Sequence, residues 1–188
     1  HGDLDNTLLF PSGGIDVHMG ELGFECVDCH QADRHQIRGR GGTVSVDMKN
    51  RLRCTDCHDP KPHADTRVNQ HTERVSCQAC HVPHTAVKEP TKMSWYWSEA
   101  GQDLGITDDH VYLKIKGRFT YAAGIKPEYY WYNETSGRYL LGDRIDPETV
   151  TPFNLPLGDR KDPSAKIHPF KVHRGKQIYD VENSYFIL

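Results

Sequence analysis

All six cysteines of the chain fall in three copies of one pattern: Cys26-Val-Asp-Cys29-His30, Cys54-Thr-Asp-Cys57-His58 and Cys77-Gln-Ala-Cys80-His81. This is C-x-x-C-H, the attachment motif for c-type haem. Chemistry fixes the spacing. Two thiols add to the two vinyl groups of one porphyrin as thioethers, and the histidine after the second cysteine ligates the iron. Zinc sites combine C-x-x-C pairs as four ligands. Three pairs would leave one unmatched, and zinc gives no reason for a histidine after every second cysteine. Redox-active thiol pairs and disulfides need no such histidine either. The motifs therefore predict three covalently held haem c groups, with Cys26, Cys29, Cys54, Cys57, Cys77 and Cys80 as attachment points and His30, His58 and His81 as proximal ligands.

Nine further histidines remain: His1, His18, His35, His63, His71, His84, His110, His168 and His173. A second histidine on an iron gives a low-spin, electron-transferring haem; an open sixth position gives a catalytic one. Nine candidates for three positions favour histidine on both faces of every iron. His18 and His71 closely precede a motif, a placement that directs a ligand to a neighbouring haem. His35 and His63 share an internal repeat, each following its motif histidine by five residues. His173 is a long-range candidate that would tie the C-terminal segment to a haem. These five are the candidate distal ligands. Met19, Met48 and Met93 read as packing residues. Any other spare histidine serves as a surface or propionate-bonding group.

The elements that hold these residues must be short. The motifs begin at residues 26, 54 and 77, so the haems crowd into a stack. The 188 residues are only 36% apolar, with 26 acidic and 23 basic side chains for a net charge of −3. Mean hydropathy is −0.71. Near-balanced charge argues against nucleic acid as a partner, and no apolar run approaches the length of a membrane span. Side chains alone would make a thin core; buried porphyrin supplies the missing apolar surface. The expected fold is thus a multihaem c-type cytochrome with little regular secondary structure, built of short helices and loops around stacked haems.

Composition breaks near residue 90. Of 18 aromatic residues only Phe10 and Phe24 precede it. Residues 1–90 form a three-haem segment and 91–188 an aromatic-rich segment packing on the haems, with a small β region. Val111–Lys116, continued by Phe119–Tyr121, reads as strand. Tyr129–Tyr132 and Arg138–Leu141 read as a hairpin around the loop 133–137. The Pro- and Asp-rich stretch 143–169 reads as loop with few regular elements. The aromatic clusters Trp95–Trp97 and Tyr129–Tyr132 read as core. The basic run Lys171–Lys176 reads as partners for haem propionates. The sequon at Asn133–Thr135 carries little weight.

Several segments resemble the octahaem tetrathionate reductase family of multihaem cytochromes, related to the hydroxylamine oxidoreductase group. They are Val17–Gly20, Asn69–His81, Pro90–Trp97, Pro127–Asn133 and Ala165–Gln177. The resemblance implies a shared architecture and axial roles for His18, His71 and His173, which lie in matching segments. That family carries eight haems, one with lysine as distal ligand at the catalytic site. This chain has three motifs, and no lysine matches that role, so the reductase activity is not implied.

Two readings of function follow. The first is an electron carrier, a trihaem wire with bis-histidine haems. The second is a fragment of an octahaem reductase acting on tetrathionate or nitrogen oxyanions. Covalent haem attachment places the chain outside the cytoplasmic membrane of a prokaryote, extracellular or periplasmic. Residues 1–5 show no signal-peptide pattern, which fits a mature chain or a piece of a longer one. Its expected partners are other redox proteins or terminal acceptors. Exposed haem edges at two unlike ends would also favour a head-to-tail homopolymer, a conductive filament in which a histidine such as His1 or His18 ligates a haem of the next copy.

Overall fold

A computed structural model describes residues 6–39 and 50–187. His1 and Met48 lie outside the described residues. The first segment is built of single turns. Helix α1 (Val17–Gly20) opens on Asp16, whose Oδ1 accepts the Met19 N–H at 3.0 Å. Helix α2 (Cys26–Cys29) is the first motif. Strands β1 (Ala32–Asp33) and β2 (Gln36–Ile37) form a minimal hairpin with Arg34 at φ 54°. The second motif is a 3-10 turn, Cys54–Asp56. Helices α3 (Thr66–His71) and α4 (Cys77–His81) follow, the latter being the third motif. None of these helices contains a buried residue. One helical turn is what C-x-x-C-H requires, because residues three and four apart share a face.

The second segment holds the sheets. Strands β3 (Thr91–Tyr96), β4 (Tyr112–Leu113), β5 (Gly117–Ala122) and a later strand, β10 (Arg174–Lys176), make a four-stranded sheet in the order β10-β3-β5-β4. β10 runs parallel to β3; the other pairs are antiparallel. Gly117 turns the chain into β5 at φ 87°, and a Cβ there would strike the Tyr96 carbonyl, so only glycine fits. β6 (Glu128–Tyr132) pairs antiparallel with β9 (Lys166–Phe170), β7 (Ser136–Arg138) with β8 (Asn154–Pro156), and β11 (Tyr179–Asp180) with β12 (Tyr185–Phe186).

These pairings correct one sequence expectation. Tyr129–Tyr132 does not form a hairpin with Arg138–Leu141. Asn133 Oδ1 accepts the Thr135 N–H at 3.1 Å and Glu134 takes φ 71°, so the chain turns away after β6. The aromatic face of β6 finds its cover in β9 instead. Tyr132 meets Phe170 edge-on at 5.2 Å and His168 at 5.5 Å. The stretch 143–169 is mostly loop, as expected, and its few regular elements are β8 and most of β9. Pro169 argues against a strand, but a two-stranded ribbon consists only of edges, where proline is tolerated.

The apolar core is small. Tyr112, Phe119, Tyr132 and Ala165 are its buried members among the described residues, and no large side chain is fully buried. Stacking supplements burial: Trp95 lies on Trp97 at 5.1 Å, and Tyr139 on Phe153 at 5.2 Å. Lys92 Nζ stands 4.1 Å from the centre of the Phe119 ring.

The two segments are clipped together at β6 and β9. Arg53 bonds Glu134 at 2.6 Å, and Arg51 approaches the same carboxylate at 3.3 Å. Arg74 donates to the carbonyls of Asp162 and Arg160 and lies over Trp131 at 4.8 Å. Ile167 donates its N–H to Arg74 O, and its carbonyl accepts the Ser76 N–H.

Candidate haem sites

The aspartates inside the first two motifs explain their local shape. Asp28 Oδ2 accepts the Glu25 N–H at 2.7 Å, and Asp56 Oδ2 accepts the Arg53 N–H at 3.1 Å. Each closes the turn over the residue before the first cysteine. Arg38 also reaches Asp56 at 2.5 Å, joining the loop after the first motif to the second. The Arg53 backbone N–H, more than Arg38, holds the Asp56 carboxyl below its usual range. The third motif has Ala79 where the others have aspartate, so the Ser76 N–H goes to β9 instead. That substitution, visible in the sequence, marks the motif that docks on the sheet region.

The candidate proximal histidines sit one turn after the first cysteines of their motifs. His30 N–H donates to Cys26 O at 2.8 Å, and His58 N–H to Cys54 O at 2.9 Å. His30 Nδ1 lies 2.9 Å from Arg38 O. A ring anchored through Nδ1 presents Nε2 to a metal. Gly39, at φ 100°, allows the approach, since a Cβ there would meet the His30 ring at 2.4 Å.

Two imidazole pairs face each other. His18 and His58 have ring centres 5.9 Å apart and planes inclined at 65°. His63 and His81 have centres 6.0 Å apart and planes within 15°. Two metal–nitrogen bonds of about 2 Å, plus the reach from each nitrogen to its ring centre, add to about 6 Å. The residues thus fit an iron held between each pair. The outer nitrogen of His63 is held as such a ligand requires, and that of His18 has a carboxylate nearby. His63 Nδ1 is 3.3 Å from Asn69 Oδ1, and Asn69 also exchanges backbone bonds with His63. His18 Nδ1 is 3.9 Å from Asp16.

The thiols adjoin across motifs. Cys54 and Cys77 are within hydrogen-bonding reach; burial and then the Cys77 thiol push the Cys54 thiol up. Burial and then Cys57 do the same for Cys29. Thioether formation removes these titrations and leaves the spacing. Cys26, Cys29, Cys54, Cys57 and Cys80 are exposed and Cys77 is half-buried.

His35 lies at the β1–β2 turn and His71 ends α3; neither faces another imidazole among the described residues. His173 immediately precedes β10, at the edge of the four-stranded sheet. The basic run around it meets protein groups: Lys171 Nζ donates to Thr91 Oγ1, Arg174 pairs with Glu128, and Lys176 lies over Tyr96. No helix among the described residues is long and apolar enough to cross a membrane.

Single-turn helices carrying C-x-x-C-H, small sheets and long loops define a multihaem c-type cytochrome with covalently bound haem c. Residues 92–188, just over half the chain, match the family model described as bacterial cytochrome c, and the chain belongs to that family. Residues 13–82, which contain every motif, match the family of cytochrome c7 and related cytochromes c. The crystal structure of an octahaem cytochrome c from Shewanella oneidensis is 46% identical over the whole chain, with a TM-score of 0.91. The chain spans 44% of that protein's length. A comparison with curated proteins gives no match. Electron transfer is the activity this class defines.

Proposed function

We propose that the chain carries three haem c groups, on Cys26/Cys29, Cys54/Cys57 and Cys77/Cys80, and passes electrons along them. His30, His58 and His81 are proximal ligands. His18 is the distal ligand opposite His58, and His63 the distal ligand opposite His81. The facing imidazoles at 5.9 and 6.0 Å carry this reading. When bound, haem iron supplies one-electron redox chemistry, its potential set by ligands, burial and charge.

The chain's own residues set the order. His18 precedes the first motif yet faces the histidine of the second. His63 follows the second motif yet faces that of the third. Each distal ligand therefore ties one attachment site to the next, and the adjoining thiols bring the same neighbours together. The distal ligand opposite His30 comes from His35, His71 or His173. The chain works outside the cytoplasmic membrane, where c-type haem is attached. Its partners are other redox proteins, terminal acceptors or a further copy of itself.

The test is ferric spectroscopy of the holoprotein. His18→Ala and His63→Ala should each convert one haem to a high-spin, carbon-monoxide-binding form. Unchanged spectra would refute the assignment. The native protein should show no high-spin iron, and its mass should exceed the polypeptide by three haems.

The octahaem relative favours a second reading, in which these three haems are one section of a longer array, and the sequence resemblance to the octahaem tetrathionate reductases would have that array act on tetrathionate or nitrogen oxyanions. An iron in the native protein that is high-spin, or that binds such an anion directly, would put that reading first.

A further inference from the structure

Where the second motif, the third motif and the β6–β9 ribbon meet, a cavity of about 50 Å³ opens between Arg51, Ser76, Tyr132, Glu134, Lys166 and His168. Two cations line it. The single carboxylate among these residues, Glu134, is already divided between Arg51 at 3.3 Å and Arg53 at 2.6 Å. Lys166 Nζ donates one bond, to Thr72 O, and an ammonium has three to give. His168 adds no charge at neutral pH, because burial and then Arg51 hold it in the neutral form. The lining is therefore electropositive.

Ser76 supplies the second observation. It is only 9% exposed, it lines the cavity, and its buried Oγ has no hydrogen-bond partner. Buried hydroxyls are nearly always bonded, so an unspent one marks a group still to be met. A cavity of this size takes a few waters or one small anion. Water would satisfy the hydroxyl alone; an anion would also meet the positive charge that remains when Glu134 is shared between Arg51 and Arg53. We propose that the cavity holds one small oxyanion, between Arg51, Lys166 and the Ser76 hydroxyl. A haem propionate of this chain or a free inorganic anion would supply that chemistry.

The location gives the anion a consequence. Ser76 adjoins Cys77, Arg51 lies three residues before Cys54, and the Cys54 and Cys77 thiols are neighbours. Negative charge placed there favours the ferric state at both adjacent attachment sites and lowers their reduction potentials.

Inorganic sulfate, added to the holoprotein at constant ionic strength, tests the free-anion source. Wild type should gain melting temperature saturably, and the midpoint potentials of the two adjacent haems should fall. Lys166→Gln should bind sulfate at least tenfold more weakly. Ser76→Ala should lose the sulfate response while melting no lower than wild type without sulfate, because its hydroxyl has no protein partner to lose. If a propionate fills the cavity, sulfate has no effect, and Ser76→Ala instead moves a carboxylate band in the redox-difference infrared spectrum. A protein that shows neither a saturable sulfate response nor that band shift overturns the proposal. The melting and infrared readouts do not depend on which histidines are distal.

Discussion

The two segments of this chain are held in shape by different agents. In residues 6–39 and 50–84, the secondary structure is single turns and one two-residue hairpin, and none of the four helices buries a side chain. What recurs there is a set of side chains aimed at common points: paired imidazoles, adjoining thiols, and aspartates that close the first two attachment turns. From residue 91 onward the large buried side chains, Tyr112, Phe119 and Tyr132, are aromatic, and strands pair in register around them. The first segment is specified by a cofactor and the second by its own polypeptide. The family model covering just over half the chain falls on the segment without a single cysteine. Family identity is therefore written in the aromatic scaffold as much as in the haem motifs.

Removing one attachment pair should break this symmetry most severely. Cys54→Ala with Cys57→Ala takes away the central site, to which His18 is tied from one side and the Cys77 thiol from the other. We expect loss of ordered structure across the first segment, because covalent cross-links and buried porphyrin supply its stability. Near-ultraviolet circular dichroism of the tryptophans and tyrosines should persist. Collapse of both signals together would show that the aromatic segment also depends on haem.

The converse experiment is Phe119→Ala. Phe119 is 4% exposed, packs against Trp95 at 6.0 Å and lies under Lys92. Truncating a buried phenylalanine costs about 3–5 kcal/mol. The loss should appear in chemical denaturation followed by tryptophan fluorescence. The low-spin haem spectrum should remain as in wild type. A new high-spin band would mean that the sheet positions the ligands.

The same division decides what the sequence could disclose. The motifs state their chemistry by residue type and spacing alone, so the haem class and the short-turn architecture were legible. His18 and His63 stood among five candidate distal ligands, His18 marked by its place before a motif and His63 by the repeat it shares with His35, and neither mark names the histidine that each faces. Their choice of partner is a long-range meeting, fixed by how successive turns fold back. The pairing of β6 with β9 was hidden for a similar reason. Asn133 and Glu134 look like a hairpin loop, but their side-chain bond and positive φ send the chain outward, while Pro169 disguises the true partner. The cavity was invisible because Arg51, Ser76 and His168 are far apart in sequence. One clue was available: Ala79 stands where two sibling motifs carry aspartate, and that absence frees the Ser76 N–H for β9.

The smallest effect concerns the seam between the segments. His168 sits in β9 against Tyr132 and Phe170, and burial, followed by Arg51, lowers its pKa from 6.5 to about 4. The native state thus holds the ring neutral where an unfolded chain would protonate it. Above pH 6.5 both states are neutral and the full stability is present. As pH falls from 6.5 towards 4, only the unfolded chain takes up the proton, so stability declines; below about 4 both states are protonated and the decline from this residue stops. The shift corresponds to about 3 kcal/mol if fully expressed, and screening of a partly solvated ring reduces this to about 1–2 kcal/mol. Axial histidines also titrate in acid, so the informative quantity is a difference. Between pH 7 and pH 4.5, wild type should lose about 1–2 kcal/mol more stability than His168→Gln, which keeps a neutral polar side chain at every pH. Parallel stability curves for the two proteins would show that His168 is as accessible to protons in the native fold as in the unfolded chain, and that the seam between the segments is open to water.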